Sequence, residues 1–336
     1  MEHSNYEPPH SEYTYSTKSG YTKINKKKIE LDHVKSDCSL LAFLILLLLF
    51  LQSALPYVLS SALLRIAPSR VNDAGVPLNV NWQILTQGAV YFFSMGITLL
   101  AAKYSVGYRV GMLRLKAAPL GDWTMQLFAV LGTGIVGSFV GGLFNNLCSN
   151  IGLNYRSDRV VCSSWSNLLL LLLVYVVLPA VMEEMLFREM IYRYFGKYGV
   201  SFAVLVSSFG FAAIHFQPGE MINAFLVGLV LTYARIYSGS VLPCVGLHGA
   251  YNLFALFVLL VRQQYQLPSP WLYALFLVVL CIAVASFIGL NLRANLNTTE
   301  DEQDSTFFEK VTAAVTNSGF WIMVALLIYA MVEQGR

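Results

Sequence analysis

The stretch from Trp165 to Phe195 reads WSNLLLLLLVYVVLPAVMEEMLFREMIYRYF. Its first half carries no charge and has the composition of a membrane-spanning helix. Glu183 and Glu184 then follow side by side, and Arg188 comes four residues after Glu184. A charge near the centre of a bilayer costs on the order of 2.5 kcal/mol or more. This carboxylate pair therefore predicts a functional site, for which the rest of the chain must supply partners.

The composition is typical of a polytopic membrane protein. Of its 336 residues, 56% are hydrophobic and only 12% are charged, and the mean hydropathy is +0.59. Soluble domains carry about twice that share of charged residues. The five cysteines show no CxxC or zinc-ribbon spacing. The composition predicts an all-α fold, a polytopic transmembrane helix bundle of about eight or nine spans.

Apolar runs divide the chain into four parts. Residues 1–37 are predicted to be a polar, basic, loosely ordered tail on the cytoplasmic side. Residues 38–164 are predicted to be accessory transmembrane helices, 165–262 the helical core that holds the glutamate pair, and 263–336 C-terminal helices with an acidic linker. The predicted spans are 39–64, 81–102, 122–147, 165–195, 200–216, 220–237, 241–262 and 271–291, with a shorter and less certain apolar run at 319–332.

Span three is rich in glycine, which lets a neighbouring helix approach closely. The glycines are Gly132, Gly134, Gly137, Gly141 and Gly142. The acidic linker that precedes the last run contains Glu300, Asp301, Glu302 and Asp304.

The distribution of basic residues predicts the orientation. With a cytoplasmic N-terminus, sixteen of the 22 Lys and Arg residues lie on the inner side, among them Arg109, Arg114, Lys116, Arg193 and Arg235. Six lie on the outer side, among them Arg156 and Arg159, and this excess on the inner side is what the positive-inside rule predicts. We expect a multi-pass protein of the cell (plasma) membrane of a bacterium.

Three short motifs on different predicted helices carry the chemistry. In the first, Glu184 and Arg188 share one helix face at i, i+4, while Glu183 is rotated about 100° away. One carboxylate can therefore pair with the arginine while the other points elsewhere. The simpler interpretation is a helix end at the interface, with both glutamates among the lipid head groups.

The second and third motifs each place a histidine on a span that has few other polar groups. Phe211 and His215 are i, i+4 late in span five, and His248 and Asn252 are i, i+4 early in span seven. Each pair is expected to line one face of its helix. A lone histidine in a membrane helix is often only a residue that bonds a neighbouring helix. Counted from turns on the same predicted side, Glu183, His215 and His248 lie roughly 14–25 Å along their helices, so they can converge within the hydrocarbon region.

In these residues the chain resembles the CPBP family of intramembrane endopeptidases, also called the Abi or CAAX-protease and bacteriocin-processing family, with its Rce1-like members. The family pattern is EExxxR, FxxxH and HxxxN on successive membrane helices. Glu183, Glu184 and Arg188 match the first motif, Phe211 and His215 the second, and His248 and Asn252 the third. The resemblance covers about residues 165–260.

The resemblance implies hydrolysis of a peptide bond inside the membrane. Glu183 would be the general base that activates water, and His215 would help to hold that water. His248 and Asn252 would stabilise the oxyanion. Glu184 and Arg188, together with Phe211, would support the site. Eukaryotic members remove the last three residues of prenylated proteins, and bacterial members are linked to bacteriocin immunity and peptide maturation.

Metal dependence stays open at this stage. A glutamate and two histidines are also a catalytic zinc ligand set, so Glu183, His215 and His248 are the ligands if zinc is required. The sequence contains no HExxH motif. We favour a glutamate mechanism that needs no cofactor.

Two other function classes compete with a protease. Buried Glu and His also relay protons in transporters, but no inverted repeat is visible. A non-catalytic membrane scaffold or immunity factor is the third reading. The expected partners are the lipid bilayer and a membrane-associated peptide or protein substrate. No feature predicts a nucleic-acid partner, and the oligomeric state is not predicted.

Overall fold

A computed structural model of the chain describes residues 13–16, 20–23, 25–106, 119–155, 162–264, 269–293 and 304–336. We number the helices α1 (Lys26–Ile66), α2 (Val80–Ser105), α3 (Leu120–Ser149), α4 (Trp165–Tyr198), α5 (Val200–Ala213), α6 (Pro218–Ser238), α7 (Leu242–Gln264), α8 (Ser269–Arg293), α9 (Phe307–Val315) and α10 (Ser318–Gly335). A 3-10 turn, Pro68–Arg70, follows α1.

Eight of the described helices are long and apolar enough to cross a membrane, namely all but α5 and α9. The predicted all-α, polytopic helix bundle is therefore confirmed, and the protein is an integral, multi-pass membrane protein. The side on which the N-terminus lies stays a prediction. Several charged residues used to predict it, among them Arg109, Arg114, Lys116, Arg156 and Arg159, lie outside the described residues, as do Glu300, Asp301 and Glu302 of the acidic linker.

The N-terminal segment is more ordered than the sequence suggested. Two short antiparallel strands, Tyr13–Ser16 and Gly20–Lys23, precede α1. Helix α1 itself begins at Lys26, within the stretch predicted to be a loose tail, and runs for 41 residues. At about 1.5 Å per residue this helix is roughly 60 Å long, twice the ~30 Å hydrocarbon thickness. Its polar first turns therefore extend beyond the span.

The C-terminal helices explain why these first turns are helical. The Lys310 ammonium on α9 is buried, where it pairs with Glu30 of α1 at 3.2 Å and donates to the Tyr198 carbonyl at 2.9 Å. Asp37 of α1 accepts hydrogen bonds from the hydroxyls of Tyr194 and Tyr198 at the end of α4. The polar start of α1 is thus held by α4 and α9. The last apolar run, the least certain of the predicted spans, forms α10 and qualifies as a spanning helix.

Helix α3 packs closely on three neighbours through its glycines, as predicted. A side chain on Gly141 would overlap the Gly219 carbonyl of α6, and one on Gly137 would meet Asn223. Gly134 lies against Tyr251 of α7, and Gly132 lies against Ala283 of α8. Gly142 differs, because a Cβ there would have no atom within 4 Å. Four of the five predicted glycines therefore serve close packing.

Helix α4 is not a uniform α-helix. It contains two wider, π-helical segments, Leu172–Val177 and Met185–Ile191. The first lies just before Pro179, whose ring crowds the carbonyl four residues earlier and which has no N–H to donate. The second follows Glu184 directly and contains Arg188. Wide turns of this kind are frequently found at functional sites.

Helix α5 is shorter than the predicted span of residues 200–216. It has 14 residues, or about 21 Å, and ends at Ala213. The chain is then non-helical until α6 begins at Pro218. Irregular backbone at membrane depth is tolerated only where it is buried in protein or lines a cavity. The segment 214–217 is half-buried or buried and contains His215.

Replacing Gly141 with alanine tests the close packing of α3 on α6. Alanine usually stabilises a helix by about 1 kcal/mol relative to glycine. At Gly141 the new methyl group would overlap the α6 backbone, and forced overlaps typically cost about 1–3 kcal/mol. We expect Gly141→Ala to lower the thermal unfolding temperature in detergent, and the adjacent Gly142→Ala to leave it unchanged or raise it. Equal unfolding temperatures for the two variants would contradict the packing described here.

Candidate active site

The two glutamates lie side by side on α4, and both are buried. Glu183 is 5% exposed, and Glu184 is fully buried. Their side chains diverge, as the helical rotation between neighbours predicts. The Glu184 carboxylate turns towards Arg188, and the Glu183 carboxylate turns towards α2 and α7. The interpretation of this pair as a helix end is wrong, because the helix continues to Tyr198 and both carboxylates are buried inside the bundle.

Arg188 holds Glu184 and reaches two other helices. Its Nη1 lies 3.0 Å from Glu184 Oε1, which forms the predicted i, i+4 ion pair. Its Nη2 donates to the Gly228 carbonyl of α6 at 3.2 Å. The guanidinium carbon lies 4.2 Å from the centre of the Phe211 ring of α5, a cation–π distance. Arg188 is itself fully buried.

Gly228 makes this approach of α6 possible. A Cβ at this position would stand 3.2 Å from Phe211 Cδ1 and 3.3 Å from Arg188 Nη2. Both contacts are tighter than ordinary van der Waals packing, so a larger residue would displace the phenyl ring or the guanidinium. The small residue lets the α6 backbone serve as a hydrogen-bond acceptor for Arg188.

His248 connects the two glutamates. Its Nδ1 lies 2.8 Å from Glu184 Oε1, the same oxygen that Arg188 contacts, and its Nε2 lies 3.8 Å from Glu183 Oε2. A carboxylate accepts only, so Nδ1 carries a hydrogen and donates it. This fixes the plane of the ring and presents Nε2 to the space beside Glu183. The described residues give the second oxygen of Glu184 no hydrogen-bond partner.

Tyr91 is a partner of Glu183 that the sequence reading missed. Its hydroxyl donates to Glu183 Oε1 at 2.5 Å from the middle of α2. The two residues are 92 positions apart, so no spacing rule connects them. The only signal in the sequence is a hydroxyl group in the middle of an apolar span.

Phe211 organises both histidines. Its ring meets the His215 ring edge-on at a centroid distance of 5.2 Å and the His248 ring at 5.5 Å. His215 was expected on the face of span five, but it follows the end of α5. There its Nδ1 lies 2.9 Å from the Phe211 carbonyl, and the ring is half-buried. With a hydrogen on Nδ1 for that carbonyl, Nε2 remains available for a ligand.

Asn252 lies where the sequence placed it. It is one turn after His248 on α7, and its side chain is half-buried. The structure thus brings Glu183, Glu184, Arg188, Phe211 and His248 into direct contact. It places His215 against Phe211 and Asn252 on the helix of His248.

A second buried charge cluster lies further along α4. Arg235 of α6 pairs with Glu189 at 3.1 Å, and Arg193 pairs with the same carboxylate. The sequence reading counted Arg193 and Arg235 as inner-side charges that report orientation, and it did not single out Glu189. Both Glu189 and Arg235 are buried, and they connect α4 to α6.

The candidate ligands of a zinc ion are Glu183, His215 and His248. Within the residues that the structure describes, no group of three or more His, Cys, Asp or Glu side chains is placed to hold a metal ion. Nδ1 of His248 is occupied by Glu184, and Nδ1 of His215 by a backbone carbonyl. The Nε2 atoms of both histidines stay available, as in zinc-binding histidines whose Nδ1 is held by a carboxylate or a carbonyl, so these hydrogen bonds do not decide whether the site uses zinc.

A cavity of about 660 Å³ reaches Tyr91, the residue that bonds Glu183. It lies between α1, α2, the loop that joins them and the first half of α4. Tyr91 and Phe216 form part of its wall, so the cavity reaches the Glu183 partner on one side and the segment of His215 on the other.

Comparison with known proteins covers the part of the chain that carries the motifs. Residues 165–254 match the family model described as type II CAAX prenyl endopeptidase, Rce1-like. The comparisons with curated proteins and with solved structures found no match. The matched segment contains all three motifs, and it excludes α1 and α2 with Tyr91. The match confirms the predicted resemblance: residues 165–254 of this chain are similar to the Rce1-like family.

Proposed function

We propose that this protein is an intramembrane endopeptidase of the glutamic type. It hydrolyses a peptide bond of a membrane-associated or lipid-tailed protein or peptide, in CAAX-type or bacteriocin-type processing. The observation that carries the proposal is the buried Glu183 carboxylate, which faces a histidine fixed by Glu184 and Arg188. The family match over the same residues supports it.

The chemistry assigns different tasks to the two oxygens of Glu183. Oε1 accepts the Tyr91 hydrogen bond, which orients the carboxylate. Oε2 faces the space beside His248 Nε2 and takes a proton from the attacking water. The resulting hydroxide adds to the carbonyl carbon of the scissile peptide bond, and Glu183 later returns the proton to the leaving amine nitrogen. General-base assistance of this kind contributes about 10²–10⁴-fold in rate.

Two residues of α7 serve the oxyanion. With a hydrogen on each ring nitrogen, His248 donates from Nδ1 to Glu184 and from Nε2 to the oxyanion. Asn252 offers its amide hydrogens one turn away. His215 is proposed to hold the attacking water through Nε2. Donors fixed before the reaction stabilise the developing negative charge without reorganising.

The proposed mechanism uses no cofactor, and the competing assignment places zinc on Glu183, His215 and His248. We further propose that the protein works in the plasma membrane of a bacterium with its N-terminus on the cytoplasmic side. The uneven distribution of Lys and Arg along the sequence supports that orientation.

Removing the charge of Glu183 tests the proposed base. Glu183→Gln keeps the size of the side chain and its contact with Tyr91 but cannot accept the proton from water. We expect cleavage of a quenched-fluorescent, lipid-tailed peptide library by purified protein to fall by about 10³-fold or more. Glu333→Gln, an exposed carboxylate at the end of α10, is the control and should cleave at the parent rate. A Glu183→Gln protein that cleaves like the parent would refute the assignment.

Metal removal separates the two mechanisms. Under the proposed mechanism, a strong chelator leaves the rate of Glu183-dependent cleavage unchanged. Loss of cleavage on chelation, with recovery on adding zinc, would instead make Glu183, His215 and His248 ligands. The measurement is the initial rate before chelation, after it, and after zinc is restored.

A further inference from the structure

The cavity that reaches Tyr91 has a wall with a regular pattern of polar residues. Gln83, Gln87 and Tyr91 follow one another at intervals of four residues on α2, and all three line the cavity. Residues at i, i+4 lie on the same helix face, about 6 Å apart along the axis. The three polar side chains therefore form a ladder that ends at Tyr91, whose hydroxyl contacts Glu183.

Two of these side chains are oriented by hydrogen bonds to other residues of the cavity wall. The Gln83 amide nitrogen donates to the Pro77 carbonyl at 2.7 Å, so its carbonyl oxygen is available as an acceptor. Gln87 Oε1 accepts from the Tyr175 hydroxyl at 2.7 Å, so its amide hydrogens are available as donors. The ladder thus offers one hydrogen-bond acceptor and one hydrogen-bond donor. A peptide backbone can use both, because each residue carries an N–H donor and a C=O acceptor.

The spacing of the ladder matches an extended peptide. Residues i and i+2 of a strand are about 6.6–6.8 Å apart and face the same side. The ~6 Å step from Gln83 to Gln87, and again to Tyr91, is close to that repeat. From Gln83 to Tyr91 the ladder covers about 12 Å, enough for three to four extended residues.

The rest of the wall is uncharged. Of the described residues that line this cavity, none is Asp, Glu, Lys, Arg or His. Apolar groups such as Leu59, Val90 and Val174 dominate. A charged substrate side chain placed here would lose its hydration without meeting an opposite charge.

We propose that this cavity binds three to four uncharged, extended residues of the substrate on one side of the scissile bond, with the Gln83–Gln87–Tyr91 ladder of α2 reading their backbone. The inference rests on the proposed protease function and names the residues that determine its substrate specificity. It assigns part of the selection of substrate to α2, which lies outside the segment that matches the family. Tyr91 then has two contacts: it ends the ladder and orients the base.

The first test measures binding apart from turnover. Fluorescent lipid-tailed peptides with Leu, Lys or Asp two residues from the scissile bond, on either side, are titrated into Glu183→Gln protein in detergent. We expect either charged residue, on the side that enters the cavity, to weaken binding at least tenfold relative to Leu. Equal affinities for the three peptides on both sides would overturn the proposal, even if Glu183-dependent cleavage is observed.

The second test changes the wall. Gln87→Leu removes the donor and should raise KM about tenfold with little change in kcat. Gln126→Leu is the control for the chemical change, because Gln126 is a glutamine of α3 that lines a separate cavity. It should leave both constants at the parent values. A Gln87→Leu enzyme whose KM equals that of Gln126→Leu would contradict the proposal that Gln87 binds the substrate backbone.

A charge exchange gives a readout that a purely structural role of Gln87 would not produce. Gln87→Glu places a carboxylate in the wall. The loss of affinity of the Lys peptide relative to the Leu peptide should therefore shrink at least fivefold, and the loss of affinity of the Asp peptide should grow. Unchanged preferences in folded Gln87→Glu protein would overturn the assignment of this wall. If Leu peptides bind but no peptide is ever cleaved in a Glu183-dependent way, the protease proposal fails and the binding site stands.

Discussion

The guanidinium of Arg188 is the group on which the arrangement of the site depends. A fully buried cation must be paired and hydrogen-bonded, because an isolated charge inside a bilayer protein is very unfavourable. Its partners come from three helices: Glu184 of α4, the Gly228 carbonyl of α6 and the Phe211 ring of α5. Removing one partner of a buried ion pair typically costs about 3–5 kcal/mol. Such a pair adds little net stability, but it permits only a narrow set of positions for the helices that supply it.

The geometry of the reacting groups follows from this constraint. Arg188 and His248 share one oxygen of Glu184, so the arginine fixes the carboxylate and the carboxylate fixes the imidazole of α7. The imidazole then faces Glu183, which is held from the opposite side by Tyr91. The non-helical segment after α5 serves the same site, since it carries His215 and Phe216 to the cavity. The contacts of these residues therefore join α2, α4, α5, α6 and α7 around the site.

The sequence predicted those features that arise within a single helix. Apolar runs located the helices, and the i, i+4 spacing of Glu184 and Arg188 predicted their pairing. Glycine content predicted the close neighbours of α3. The spacing of Phe211 and His215 suggested a shared helix face, but that prediction was wrong because α5 ends at Ala213. Spacing alone does not show where a helix stops when no glycine or proline intervenes, and the next proline is Pro218.

The sequence did not predict the contacts between helices, because these contacts depend on which helix faces pack together. Tyr91 contacts Glu183 across 92 positions, and Arg235 pairs with Glu189 across 46 positions. Arg235 counts as an inner-side charge in the sequence, yet it is buried and pairs with Glu189. Neither periodicity nor composition distinguishes a charge that faces solvent from one that faces a partner on another helix.

The most direct measurement is a double-mutant cycle on kcat between Glu184 and His248. If Glu184 acts on the reaction through His248, Glu184→Gln should slow the parent enzyme but have almost no further effect in His248→Ala protein. Rates are compared per folded molecule, and thermal unfolding in detergent reports the folded fraction. An equal fractional loss in both backgrounds would contradict the account, because Glu184 would then act independently of the imidazole that it contacts.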